Sequence, residues 1–395
     1  MGRRRLVLSV IAFAAALPLA SANMSITASA SPSGSGSTHH NVRVCPGPTS
    51  GHAGCLAIRH ETLDSSGQPA PKAVTPAGYG PADIRSAYNL TTSSTKTVAI
   101  VDAYDDPTAE ADLATYRSRF GLTACTTANG CFKKVNQTGG TAYPRKDGGW
   151  AQEISLDLDM VSAACPTCHI LLVEAKTSSL ANLGAGVNYA ANAPGVVAIS
   201  NSYGGGDSAE TAAYNHPGIA ITASTGDSGY GVQSPASFPH VIAVGGTALT
   251  KASGTSRGWQ ESAWSGAGSG CSTINPKPTW QTAVTQCAHK ASADVSAVAD
   301  PNTGVAVYDS TAYQGYVGWL VFGGTSASSP IVASVYALSG NTAGYPASYT
   351  WSHAGGLNDV TTGSNGTCST AVWCHAGTGW DGPTGLGTPN GTTAF

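Results

Sequence analysis

Charged residues are scarce in this chain. Of its 395 residues only 19 are lysine or arginine and 22 are aspartate or glutamate, 10% in all, and the formal net charge is -3. A chain so short of positive charge has no broad cationic surface for nucleic acid and no polybasic strip for anionic lipid. We therefore expect neither nucleic acid nor a membrane surface as a partner.

Long apolar runs are also lacking beyond the first residues. Residues 3–5 are three arginines, residues 6–19 are largely apolar, and Ala20-Ser21-Ala22 is a small-residue cleavage motif. These are the three parts of a signal peptide, so we expect residues 1–22 to be removed. No later stretch reaches the roughly 18 apolar residues that a transmembrane helix needs. The sequence thus predicts a secreted, extracellular protein, which we expect to be a monomer.

Ten cysteines and 49 glycines are conspicuous among the residues that are present. An even number of cysteines in an exported chain indicates a disulfide framework. The Cys165-Pro166-Thr167-Cys168 run has two alternatives: a redox motif, which needs a thioredoxin-like context, or half of a zinc site, which needs two further ligands. The clustering of the cysteines predicts five local pairs: Cys45–Cys55, Cys125–Cys131, Cys165–Cys168, Cys271–Cys287 and Cys368–Cys374.

Regular patterning begins near residue 77. Residues 23–76 are rich in Ser, Gly, Pro and His without a sustained period of 2 or 3.6, which predicts a poorly ordered or removable leader. Residues 77–395 alternate short buried runs with helical spacing, which predicts a single α/β domain with a doubly wound, mainly parallel sheet and helices on both faces. In such a sheet the active cleft lies beyond the carboxyl ends of the strands. The predicted strands are 97–101, 169–174, 196–200, 220–224 and 241–244, and the predicted helices are 108–120 and 179–191.

One serine follows a run of small residues, in Gly323-Gly324-Thr325-Ser326, with Pro330 four residues further on. Glycines allow a substrate backbone to approach closely, and N–H groups at a helix N-terminus stabilise developing negative charge. The alternative is a helix N-cap, a position that serine favours. Because the G-T-S-x-x-x-P pattern resembles the nucleophile motif of subtilisin-like peptidases, we predict that Ser326 is a nucleophile.

The histidine that such a serine ordinarily uses as its base is missing. In subtilisin-like peptidases the base is a histidine followed by Gly-Thr, and it is oriented by an aspartate. None of the ten histidines here is followed by Gly-Thr, and Asp102, which ends a predicted strand, is followed by Ala103-Tyr104. An ordinary Ser-His-Asp triad is therefore not expected.

Two carboxyl groups in Gly148–Val161 offer a different base. Glu153 and Asp157 are four residues apart, so on a helix they share one face, while Ile154 and Leu158 lie on another. Like charges at this spacing raise one pKa and favour a shared proton in mild acid, where a histidine would already be cationic. The alternative is a pair of solvated surface acids. We predict a general base and its orienting partner.

The ordered motifs resemble those of the sedolisins, serine-carboxyl peptidases similar to subtilisin in fold. Over residues 77–395 the order is a helical E-x-x-x-D, a G-D-S-G loop and G-T-S-A-S-x-P. The resemblance implies a subtilisin-like fold and an endopeptidase that cleaves proteins and peptides at acidic pH. It assigns Glu153 as general base, Asp157 as its partner and Ser326 as the attacking residue. Ser200–Gly204 resembles the substrate-binding edge of the family, where an extended peptide pairs with backbone.

Asp227, in the G-D-S-G loop directly after a predicted strand, is the fourth predicted catalytic residue. Subtilisins have an asparagine here, whose amide donates to the oxyanion at any pH, whereas a carboxyl donates only while protonated. An Asp227 oxyanion donor would tie activity to acid. The alternative is an ordinary turn aspartate.

The resemblance also implies one structural calcium ion near the end of the chain. Calcium takes six to eight oxygen ligands, and carbonyls of glycine-rich loops are suitable donors. The implied ligands are the side chains of Asp359 and Asp381 and the carbonyls of Val360, Gly377 and Gly379. The alternative is a glycine-rich turn without metal.

Two expectations concern the protein as a whole. Sedolisins commonly have a long folded prodomain, whereas here only residues 23–76 separate the signal peptide from the catalytic-like region. The leader is therefore either an abbreviated inhibitor or a segment that folding does not need. The alternative function is a secreted binding module that kept the fold without turnover, and the presence of all four catalytic residue types argues against it.

Overall fold

The structure, a computed structural model, describes residues 38–63, 66–68 and 74–395. The predicted signal peptide, residues 1–22, lies outside the described residues. Among the described residues the strands are β1 (Thr38–Arg43), β2 (Gly54–Cys55), β3 (Ile58–Leu63), β4 (Thr97–Ala103), β5 (Phe132–Asn136), β6 (His169–Ala175), β7 (Val196–Asn201), β8 (Tyr203–Gly204), β9 (Ala220–Ser224), β10 (Ile242–Lys251), β11 (Trp259–Ala263), β12 (Gly270–Pro276), β13 (His289–Ser292), β14 (Val295–Val298), β15 (Val305–Tyr313) and β16 (Tyr316–Gly323). The α-helices are α1 (Pro81–Ala87), α2 (Ala109–Arg119), α3 (Gly148–Ala164), α4 (Leu180–Ala191), α5 (Thr325–Ser339) and α6 (Pro346–Ser352).

The central sheet has eight strands. Seven of them follow the order β11-β10-β9-β7-β4-β6-β5, and β14 also pairs with β10. All of its pairings are parallel except the one between β10 and β11. Strands β4, β6, β7 and β9 are almost entirely buried, which is typical of a parallel sheet covered on both faces. The predicted α/β class and mainly parallel sheet are confirmed.

A second, antiparallel sheet is built partly from the predicted leader. Its order is β1-β3-β16-β15, so residues 38–43 and 58–63 share a sheet with a hairpin near residue 310. The expectation that this segment is poorly ordered was wrong for residues 38–63. The segment buries polar groups against partners: the Arg59 guanidinium donates to the Glu61 carboxylate at 2.5 Å and to the Gln152 side chain at 2.7 Å.

Helices α3 and α5 lie side by side under the central sheet. Helix α3 packs against α5 and β15, and α5 packs against β7, β9 and β14. Every side chain of α3 from residue 149 to 164 is buried, because the helix lies between the two sheets rather than at the surface. The motifs that the sequence singled out are therefore carried by interior elements.

The five predicted disulfides are all formed, and the described residues contain no free cysteine. Cys165 and Cys168 are buried and pair with each other at the end of α3, so the zinc alternative, which needs free thiolates, does not apply. No helix among the described residues is long and apolar enough to cross a membrane.

Candidate active site

Helix α3 carries Glu153 and Asp157. The helix begins after Asp147, whose carboxylate accepts hydrogen bonds from the N–H groups of Gly149 and Trp150, both at 3.2 Å, as an N-cap aspartate does. Both predicted acids are fully buried, and their helix packs against α5. The alternative of two solvated surface acids was wrong.

Ser326 is the second residue of α5, directly after β16. The N-cap of this helix is Gly324, at φ +93°, so Ser326 is not the N-cap residue. Its hydroxyl is fully buried and donates to the Ser202 carbonyl at 3.3 Å. The same hydroxyl lies close enough to Glu153 to lower the pKa of that carboxyl, although its oriented hydrogen bond is to Ser202. The serine and the two acids are thus brought together from distant parts of the chain.

Burial is the main influence on the pKa of the Glu153 carboxyl. Desolvation raises its pKa well above the usual value, and the nearby charge of Asp102 raises it further. Its Oε2 atom accepts hydrogen bonds from the Leu56 N–H at 2.8 Å and the Ala57 N–H at 2.7 Å. These two donors belong to the predicted leader, and no local pattern indicated their contact with Glu153.

Asp157 lies beside Glu153 and is held by Ser202, whose hydroxyl donates to Oδ1 at 2.8 Å. Burial raises its pKa well above the usual value, and the charges of Asp102 and Glu153 add to this effect. Asp102, at the end of β4, is also fully buried, and neither of its carboxyl oxygens has a hydrogen-bond partner. Burial raises the pKa of Asp102 to about 8. The three carboxyls influence one another, so their titrations are linked.

Asp227 follows β9 and reaches the start of α5. Its Oδ1 accepts hydrogen bonds from the Thr325 N–H and the Thr325 hydroxyl, both at 2.8 Å. Burial raises its pKa to about 6, against the opposing effects of the Thr325 N–H and the Arg43 charge. Its Oδ2 atom is buried without a hydrogen-bond partner. A protonated Asp227 thus has one oxygen anchored and one hydroxyl free to donate.

Two residues of the site were not predicted to belong to the catalytic group: Asp102, and Ser202, which was predicted only as part of the substrate-binding edge Ser200–Gly204. Ser202 contacts both Asp157 and Ser326. Asp102 was noted only as a strand-ending aspartate with the wrong neighbours for a subtilisin. Its position after β4, at the carboxyl end of a parallel strand, was the signal that could have identified it.

Two of the predicted calcium ligands, Asp359 and Asp381, accept hydrogen bonds from the loop 377–381. The Gly379 N–H donates to the Asp359 carboxylate at 2.9 Å, and the Gly377 N–H donates to Asp381 at 3.1 Å. Burial raises the pKa of Asp381 to about 7, and the charge of Asp359 contributes. Among the backbone hydrogen bonds of the described residues, none is accepted by the carbonyls of Val360, Gly377 and Gly379. Two carboxylates and three unengaged carbonyls are a donor set that fits a hard cation.

A second group of carboxyls is distinct from the predicted calcium ligands. Asp106, Asp112 and Asp309 are buried, and each offers an oxygen within 4.8 Å of the others. This group includes none of the predicted calcium ligands.

The chain is similar in sequence to known proteins. No protein-family model matches the chain. Kumamolisin from Bacillus sp. (strain MN-32) is 30% identical over 371 residues, covering 81% of this chain and 63% of that protein. Sedolisin from Pseudomonas sp. (strain 101) is 34% identical over 177 residues, covering 40% of this chain and 29% of that protein. The chain therefore spans less than two thirds of the length of either relative.

The fold of the chain is similar to that of a solved structure. The chain is similar to Pseudomonas sedolisin, described as a serine-carboxyl proteinase complexed with two molecules of pseudo-iodotyrostatin. The TM-score is 0.66 with 26% identity, and the match covers 80% of this chain and 96% of that one. Together with the kumamolisin match, this similarity shows that the chain belongs to the sedolisin family, with a subtilisin-like fold.

Proposed function

We propose that the chain is a secreted serine-carboxyl endopeptidase that hydrolyses peptide bonds of proteins and peptides in acid. The observation that supports this most is the meeting of Ser326 with two buried acids from α3 and a third from the loop after β9, with no histidine in that set. A buried carboxyl with a raised pKa can exchange protons in acid, where an imidazole would be cationic. Secretion is supported by the predicted signal peptide and by five disulfides, which persist in oxidising compartments.

In the proposed reaction the Ser326 hydroxyl attacks the peptide carbonyl while Glu153 accepts its proton. Asp157 lies beside Glu153 and influences how readily that proton is held. The carbonyl oxygen becomes negative and accepts a hydrogen bond from the protonated Asp227. Glu153 then passes its proton to the leaving amine, and water hydrolyses the acyl-enzyme by the reverse use of the same groups.

Calcium is the proposed cofactor, as one structural ion held by Asp359, Asp381 and the carbonyls of Val360, Gly377 and Gly379. When bound, the ion would neutralise the two carboxylates and connect the segment near residue 360 with the loop 377–381. The unengaged carbonyls support this assignment. The ion has no role in the proposed chemistry.

The test of the activity is hydrolysis of casein and of a quenched fluorescent peptide between pH 3 and pH 8. We expect activity in acid that declines toward neutrality, and a loss of at least about 1000-fold in Ser326→Ala and in Glu153→Gln. Circular dichroism must show that both variants are folded. Full activity in folded Glu153→Gln would contradict the proposed base, and binding of peptide without any hydrolysis by the wild type would instead favour the binding module.

A further inference from the structure

The segment before β3 indicates how an extended peptide lies along β8. Strand β2 pairs antiparallel with β8, with Gly54 opposite Gly204. The N–H of Leu56 then donates to the Ser202 carbonyl at 3.2 Å. This is the backbone pairing by which a sheet edge recognises an extended peptide. The segment therefore serves as a guide to where the side chains of a bound substrate point.

Leu56 lies where a substrate presents the residue whose carbonyl is attacked. A Cβ atom built on Gly324, two residues before Ser326, would be 2.0 Å from the Leu56 oxygen and 3.0 Å from Asp227 Oδ2. The Leu56 carbonyl therefore borders the same small space as the proposed oxyanion donor. In a bound substrate, the residue at this place is the acyl-side residue, the one on the carbonyl side of the cleaved bond.

The side chain at this place points away from the main hydrophobic core. Side chains alternate between the two faces of an extended strand, so residues 54 and 56 share one face and Cys55 lies on the other. Cys55 and Tyr203, the residue opposite it on β8, both belong to the main core. Leu56 is only 2% exposed, yet it is not part of the hydrophobic clusters of the described residues. This indicates that backbone and polar groups cover much of its side chain.

The Gln233 amide lies on the same face of this strand pair. Residues opposite each other on paired strands point to one face, so the Cβ direction of Gly204 is also that of residues 54 and 56. A Cβ atom on Gly204 would be 2.0 Å from Gln233 Oε1. A Cβ atom on Gly226, directly before Asp227, would be 2.8 Å from Gln233 Cδ. The amide thus fills the space that two glycines leave between β8 and the loop after β9, and it closes the pocket for the acyl-side side chain.

The oxygen of this amide has no partner. Gln233 Oε1 is buried and accepts no hydrogen bond from the described residues. A buried polar atom without a partner costs free energy, so a site that contains one favours a ligand that pairs it. Another amide is the best match, because an amide offers both an acceptor and N–H donors. A leucine such as Leu56 offers neither.

The length of the pocket favours glutamine over asparagine. The Cβ atoms of residues diagonal across two strands lie about 7 Å apart, which is the relation between residue 56 and residue 204. Gln233 Oε1 lies next to the place of the second of these atoms. A hydrogen bond covers about 2.9 Å of this gap, and the three bonds beyond Cβ of a glutamine cover the rest. An asparagine is one bond shorter and falls short of the amide.

We propose that Gln233 is a specificity-determining residue that selects glutamine as the acyl-side residue of a substrate, an inference that rests on the proposed function. The substrate amide donates to Gln233 Oε1 and accepts from the Gln233 N–H group. Methionine has nearly the same length and shape but no amide, so it leaves the Gln233 oxygen unpaired in the bound state. The pocket therefore distinguishes these two residues by hydrogen bonding rather than by size.

Two peptides test this preference. They are quenched fluorescent peptides that differ only at the acyl-side residue, glutamine in one and methionine in the other, and mass spectrometry identifies the cleaved bond. At pH 4 we expect the wild-type kcat/KM to favour glutamine by at least about fivefold, the contribution of a single neutral hydrogen bond. An equal or reversed preference overturns the inference and leaves the proposed function standing. If neither peptide nor casein is hydrolysed, the proposed function fails and the inference fails with it.

Two variants test whether Gln233 is responsible. Gln233→Met and Gln233→Leu remove the amide with little change in volume, and both are expected to lose the preference for glutamine. The matched control is Gln260→Met, at an exposed position of β11, which should keep the wild-type preference. A Gln233→Met protein that is folded by circular dichroism and still prefers glutamine overturns the inference.

A second pair of peptides keeps the test independent of how the variants fold. In these peptides the glutamine or methionine is the second residue after the cleaved bond, and the acyl-side residue is leucine in both. The wild type is expected to hydrolyse the two at rates within about twofold of each other, because no hydrogen bond to Gln233 is then involved. A preference for glutamine as large at this place as at the acyl-side place would mean that Gln233 is not its source.

Discussion

Asp227 has two carboxyl oxygens with different environments. Oδ1 is fixed by the N–H and hydroxyl of Thr325, while Oδ2 is buried, lies 3.9 Å from the Arg43 guanidinium and has no hydrogen-bond partner among the described residues. Since burial raises its pKa to about 6, Asp227 carries its proton below that pH and loses it above. If Oδ2 is the oxyanion donor, activity must fall as the pH rises through about 6.

The substitution Asp227→Asn tests this dependence. An asparagine has nearly the same shape, its Oδ1 can still accept from Thr325, and its Nδ2 donates at every pH. We expect the alkaline limb of the kcat/KM profile to move upward by at least about one pH unit. Kinetics between pH 3 and pH 8 measure the shift.

The control is Asp227→Ala, which removes the donor. It is expected to lose about 100-fold or more in kcat at every pH. An alkaline limb at the same pH in Asp227→Asn and the wild type would mean that a different group sets that limb.

At the scale of elements, helix α3 shows what a local pattern can and cannot predict. The spacing of Glu153 and Asp157 on one helical face was predictable, because it depends only on 3.6 residues per turn. The spacing did not predict that the helix is buried on all sides, since that depends on packing against α5 and β15. The other predictable features were all five disulfides and, with small differences in bounds, strands β4, β6, β7, β9, the start of β10 and helices α2 and α4, because each depends on local runs and short spacings.

The segment 38–63 could not be predicted in the same way. Strand β3 reads Ile-Arg-His-Glu-Thr-Leu, which has too few apolar residues to identify a buried strand. Its partner β16 lies more than 250 residues further along the chain, and the Arg59 guanidinium is buried only because Glu61 and Gln152 accept its hydrogen bonds. Pairing over such a distance leaves no local pattern. The contacts of Leu56 and Ala57 with Glu153 were inaccessible to the sequence for the same reason.

The loop 377–381 provides a prediction at this scale. If calcium joins this loop to Asp359, binding stabilises the folded state by RT ln(1 + [Ca]/Kd), about 2.7 kcal/mol at 100 times Kd. Chelation is therefore expected to lower the Tm of Ser326→Ala, chosen to avoid self-digestion, by several degrees. Scanning calorimetry in calcium and in EDTA measures the difference.

Two substitutions test whether the calcium that stabilises the protein binds at Asp381. Asp381→Asn should remove the response to calcium, whereas Asp83→Asn, at a surface ion pair with Lys251, should keep it. Equal Tm values in calcium and EDTA for the parent protein would rule out a structural calcium ion.

At the scale of the whole molecule, many of the few acidic residues lie inside rather than at the surface. Asp102, Asp106, Asp159 and Asp309 are all buried. Burial raises the pKa to about 8 for Asp102 and Asp309 and to about 6 for Asp106, and raises that of Asp159 well above its usual value. A neutral carboxyl costs far less to bury than a carboxylate. Burying these carboxyls therefore costs the folded state less free energy in acid, where they are protonated, than at neutral pH.

The consequence is a fold whose stability decreases as the pH rises. In the unfolded chain these aspartates titrate near 3.9, so a raised pKa in the folded state contributes stability that is fully present below about pH 4. This contribution is lost as the pH rises through the folded values of about 6 and about 8. One pKa unit corresponds to about 1.4 kcal/mol per group. We expect the Tm of Ser326→Ala at constant calcium to be several degrees higher at pH 4.5 than at pH 8.

Scanning calorimetry at pH 4.5, 6 and 8 measures how the Tm of Ser326→Ala depends on pH. The same protein with the additional substitution Asp309→Asn is the control. An asparagine at residue 309 is neutral at every pH, so the variant should lose less Tm between pH 6 and pH 8 than its parent. A Tm that rises toward pH 8 in both proteins would mean that these carboxyls are ionised in the folded state. The interior would then have to compensate their charges with cations rather than with protons.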